Sequence, residues 1–159
     1  MKQIFSDFET ELQTSGKLIY TNVGVSMLPL IHEARDILVI EKCEVSSLKK
    51  YDVVLFRREN RKGRGEYILH RILKCRRDQT FFIAGDNCTD GETVKASQIL
   101  GVLTGIRRAG GDVDFGSFRY RLYILFWCAP YHLRFFLLRV KQFLRYAVRA
   151  VAYKLKIKK

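Results

Sequence analysis

The chain has 159 residues, an apolar content of 48%, a net charge of +13 and only two prolines. That is enough for one ordinary domain with a packed core, and it excludes a disordered or linker-dominated chain. The charge is uneven: residues 1–110 hold 18 Lys/Arg against 14 Asp/Glu, whereas residues 111–159 hold 11 against 2. A net of +9 on the last third points to an anionic partner there.

Ile4, Phe5, Phe8 and Leu12 recur at helical spacing ahead of Gly16, which predicts an amphipathic helix over residues 3–14. The first sixteen residues carry acids and no apolar run, so they read as neither a signal peptide nor a spanning anchor. The pattern then turns to strands, at 17–23, 36–43, 52–58, 67–74, 80–86 and 99–108, with a charged, glycine-containing turn over 58–66. These short runs predict a mainly β unit over 17–117, a twisted antiparallel sheet or partial barrel.

From Phe118 the chain is aromatic, apolar and basic. Its longest uncharged stretch, Leu122–Leu133, is twelve residues and contains Pro130, short of the roughly 20 that a spanning helix needs. Beyond it, Leu133, Phe136, Leu137, Val140, Leu144, Val148 and Val151 fall on one helical face, with Arg134, Lys141, Arg145 and Arg149 on the other. Residues 118–159 are therefore expected to form basic amphipathic helices that associate peripherally with a membrane surface, in preference to nucleic acid. Failing that, a cytoplasmic location is expected. The four cysteines, Cys43, Cys75, Cys88 and Cys128, show no metal spacing and are read as free thiols.

Chemistry enters with "NVGVSMLPLI", residues 22–31, where Ser26 and Pro29 share a turn between apolar runs. A serine attacks carbonyl carbon only when a base takes its proton. His70 lies in "EYILHRILK", where alternation places it with Ile68 and Ile72, opposite Tyr67, Leu69 and Arg71. Burial there favours a neutral imidazole, the form a general base needs. Its activity is expected to fall as pH drops through the imidazole pKa. By itself such a histidine is also what a core histidine looks like.

Four segments change that balance by their order: "GVSMLPLI", "YDVVLFRR", "EYILHRIL" and "FFIAGDNCTD". Together, over roughly Val23 to Val102, they resemble the signal peptidase I superfamily, which includes the LexA-type self-cleaving domains. Histidine followed by arginine at the base position is similar to the Ser/His endoplasmic-reticulum type. The resemblance implies a serine endopeptidase performing limited proteolysis of a polypeptide such as a signal or leader sequence, with no metal or cofactor. Ser26 would be the nucleophile and His70 the general base. Asp90, or next Asp86, would orient His70. Gly24, Ser26, Met27 and Pro29 would shape the oxyanion and substrate turn. Arg35 and Tyr51 stand where that family commonly has glycines before Asp36 and Asp52. A self-cleaving regulator and a non-catalytic membrane- or nucleic-acid-binding module are the rival expectations.

Overall fold

A computed structural model describes residues 4–21, 23–59 and 65–157. Helix α1 spans Ile4–Thr14, and the chain leaves it through Gly16 at φ +71°, a backbone region that glycine enters without a Cβ penalty. Leu12 and Phe8 turn inward from α1, Phe8 against the rings of Tyr20 and Tyr67. The expected helix begins one residue outside the described range, and residues 60–64 of the expected charged turn also lie outside it.

Among the described residues seven strands follow: β1 Lys17–Thr21, β2 Ile37–Glu41, β3 Val53–Glu59, β4 Gly65–Cys75, β5 Thr80–Ala84, β6 Glu92–Lys95 and β7 Ile99–Arg107. They form one antiparallel sheet in the order β1-β2-β7-β3-β4-β5-β6. β1 and β6 are its edges, so the sheet is open and no barrel closes. Six strands match the expected runs. β6, "ETVK", escapes prediction because only Val94 of its four residues is buried, too little to leave a period.

Both faces of the sheet carry core. Leu18, Leu38, Val53, Leu55 and Leu69 pack with Leu12 of α1 and with Met27, Leu30 and Ile31 of the β1–β2 connection. Val54, Phe56, Ile72, Phe81, Ile83 and Val94 form a second cluster. β3 contributes alternately to both, so its first four residues are all buried and read as a continuous apolar run.

After β7 the chain enters α2, Phe118–Tyr123, capped by Ser117 Oγ, which accepts from the Tyr120 N–H. A single π-helical stretch, Ile124–Cys128, precedes Pro130, and α3 runs Tyr131–Ile157. Proline stands just before α3, where its missing N–H costs no helical bond. α3 docks on the sheet through Phe135, which joins Leu73 of β4 and Ala84 of β5 in a third cluster.

Candidate active site

The turn that bears Ser26 is held from below. Met27 and Ile31 are fully buried and Leu30 nearly so. Leu28 N–H bonds to the Val25 carbonyl at 3.3 Å and Ile31 N–H to the Met27 carbonyl at 3.0 Å. Arg108, the residue after β7, donates to the Leu30 carbonyl and to both oxygens of Asp36. Burial pulls the Asp36 carboxyl upward, but bonds from Arg35, Arg108 and the His32 N–H outweigh it and hold the carboxyl below the usual range. Asp52 accepts from the Lys49 N–H at 2.8 Å, a turn-closing bond. Asp36 and Asp52 thus shape turns.

Ser26 lines a cleft of about 660 Å³ together with His70, Cys88 and Asp90. Val23, Ile68 and Ile83 give it an apolar wall, and Arg58, bonded to Glu66 and Glu92, a charged one. His70 comes from the middle of β4, paired with Val54 of β3. The alternation holds: Ile68 and Ile72 join the second cluster, and Tyr67 and Leu69 the first. The imidazole packs 6.2 Å from the Phe56 ring, centroid to centroid.

The Gly-Asp-Asn segment packs between the Ser26 backbone and the His70 ring. A Cβ placed on Gly85 would lie 2.6 Å from the Ser26 carbonyl oxygen, 2.6 Å from Cys88 Sγ and 3.0 Å from His70 Nε2. These atoms converge on one point that only glycine leaves open. Asn87 completes the junction, its backbone N–H bonding the Ser26 carbonyl at 2.8 Å and its Nδ2 the Val25 carbonyl at 3.1 Å. Gly85 and Asn87 thus hold the Ser26 backbone beside the His70 ring; the sequence reading did not single them out, although both lie in the motif that led to Asp86.

Burial pushes the His70 pKa down, the nearby Asp86 charge partly opposes this, and Arg58 adds to the fall, leaving it at about 4. The ring is neutral at physiological pH. Nε2 faces the junction, 3.9 Å from Cys88 Sγ, while Nδ1 is buried without a hydrogen-bond partner.

The carboxylates fall differently from expectation. Asp86 is fully buried and turned away from the cleft toward Arg71, whose Nη2 bonds Oδ2 at 2.7 Å and whose Nε bonds Oδ1 at 2.9 Å. Tyr123 donates to Oδ2 at 2.7 Å, and Arg134 Nη1 stands 3.4 Å from Oδ1. The residue after His70 thus claims the carboxylate, because adjacent strand residues face opposite ways. Asp90 does line the cleft, exposed at its mouth, and does not bond Nδ1.

Two turn residues are also corrected. Met27 is core, and exposed Pro29 lines a separate depression with Arg108 and Tyr123, so this segment gives the cleft Val23 and Ser26 instead. The Leu28–Pro29 peptide is cis. Gly24 adopts φ +109° and Tyr51 φ +80°, the latter a non-glycine residue in a region that favours glycine. Among the described residues no group of three His, Cys, Asp or Glu could hold a metal ion. No protein-family model matches the chain, and no curated protein or solved structure does either.

Proposed function

We propose that the protein is a serine endopeptidase that cuts polypeptides at a limited number of positions, as in signal- or leader-peptide removal, with Ser26 as nucleophile and His70 as general base. One observation carries this reading. A turn serine and a neutral, half-buried histidine share one cleft, with Nε2 directed to the junction that holds the Ser26 backbone.

Nε2 takes the Ser26 Oγ proton as Oγ bonds to the scissile carbonyl carbon. The proton then passes to the departing amine as the peptide bond breaks, leaving a Ser26 ester. His70 next takes a proton from water, hydroxide adds to the ester carbonyl, and Ser26 recovers its proton. The Ser26 backbone N–H is the proposed oxyanion donor. Extended peptide fits a cleft walled by strand residues of β4 and β5.

Cys88 is the other nucleophile beside His70, but burial pushes its thiol pKa up, opposite to what an attacking cysteine needs. The test is digestion of an unbiased peptide library, with new termini read by mass spectrometry. Wild type and Cys88→Ser are expected to cut at the same sites and Ser26→Ala not at all. Cutting by Ser26→Ala at wild-type sites, or a Cys88→Ser variant as dead as Ser26→Ala, would overturn the assignment.

A further inference from the structure

The apolar stripe of α3 is the face that the sheet does not cover. The helix docks through Arg134, Phe135 and Leu138, all buried. Opposite them, Leu133, Phe136, Leu137, Val140, Leu144 and Val148 run along the helix at 39% to 68% exposure. Leu125 and Phe126, in the π-helical stretch before α3, are 58% and 71% exposed. Surface apolar residues are ordinary when scattered, but a continuous stripe several turns long marks a docking surface.

Charge identifies the occupant. α3 carries seven Lys/Arg and no Asp or Glu over its 27 residues. Arg139 and Lys141 border the stripe, and exposed Arg145 and Arg149 lie behind it, about one helix diameter away (roughly 10 Å). That is within about one Debye length of any surface the stripe touches. A second copy would bring the exposed Arg139, Lys141, Arg145 and Arg149 against the same four cations, with no acid on either helix. Anionic lipid headgroups reverse the sign of that interaction. No helix among the described residues is long and apolar enough to cross a membrane, so α3 is suited to lie along one.

We infer that α3 docks the protein, through this outward stripe, onto the interface of an anionic lipid bilayer. The stripe enters the acyl boundary and the bordering cations reach the headgroups. The root of the helix is fixed to the body by the Arg134 guanidinium, at Asp86 Oδ1 and the Gly85 and Trp127 carbonyls.

The test uses the full chain and flotation with vesicles of phosphatidylcholine mixed with phosphatidylglycerol, against vesicles of phosphatidylcholine alone. Binding to the mixed vesicles is expected to be at least about tenfold stronger and to weaken with salt. Val140→Glu/Leu144→Glu, two changes at exposed positions, should abolish it with the circular dichroism spectrum unchanged. Lys141→Gln/Arg145→Gln/Arg149→Gln should cost the preference for the anionic vesicles. The inference is overturned if wild type does not float, if the glutamates leave flotation intact, or if the chain binds duplex DNA but not vesicles. It is equally overturned if wild type is a dimer that the glutamates make monomeric.

Discussion

At the scale of single residues, the proposed mechanism makes His70 set the pH response of activity as well as of stability. Its folded pKa of about 4 lies below the ordinary 6.5 of an unfolded histidine. Between those values the unfolded chain binds the proton that the native chain refuses, so stability rises with pH across that window. The contribution is complete above pH 6.5 and is lost as pH falls toward 4, about 3 kcal/mol in all. Denaturant titrations should show that slope in wild type and its loss in His70→Gln. The same shift corrects the sequence expectation of an activity fall between pH 5 and 8: the kcat/KM profile should be flat over that range and fall near 4. A limb centred near 6.5 would remove the half-buried, desolvated base from the account. The unpartnered Nδ1 belongs to the same picture, because a proton accepted at Nε2 requires that Nδ1 already carry one.

At the scale of elements, β4 separates two kinds of chemistry on its two faces. His70 looks into the cleft and Arg71 looks at Asp86, whose carboxylate receives donors from β4, the residue before the π-helical stretch and α3. Trp127 Nε1 adds a 3.0 Å bond to the Asp86 carbonyl. Asp86 thereby joins the helices to the sheet, one residue before the asparagine that holds the Ser26 backbone. Asp86→Asn removes the charge facing two buried guanidinium groups and should cost about 3–5 kcal/mol of stability. Asp90→Asn, at an exposed site, should leave stability within about 0.5 kcal/mol. Where a carboxylate fixes the tautomer of a catalytic histidine its loss costs about 10⁴-fold in kcat, whereas Asp90→Asn should cost less than about tenfold. Thermal unfolding and steady-state kinetics on the two variants check both statements. A stable Asp86→Asn protein, or an Asp90→Asn protein that is silent, would reassign the two acids.

At the scale of the whole molecule, what could be read in the sequence follows from what is local. Six strands were legible because a period of two is written in adjacent residues, whereas Ser26 and His70 stood out only through the order of four segments and the resemblance that order carries. The role of Asp86 was not legible, since its partners Arg71, Tyr123 and Arg134 stand 15, 37 and 48 residues away and meet it only after the helices fold back. Met27 sits next to Ser26 in the motif, yet alternate residues of a tight turn face core and cleft, so adjacency misplaced it in the site. In α3 the period revealed an apolar stripe but not its direction; Phe135 and Leu138, outside the stripe, make the contact with the body.

The central claim is that Ser26 and His70 act as one unit, and the direct measurement is a double-mutant cycle. kcat/KM would be taken for wild type, Ser26→Ala, His70→Ala and the double variant on one peptide selected from the library. Members of a nucleophile–base unit are non-additive, so each single change should cost about 10³-fold or more and the double change no more than either. Losses that multiply, or a His70→Ala variant that keeps wild-type activity, would contradict the account.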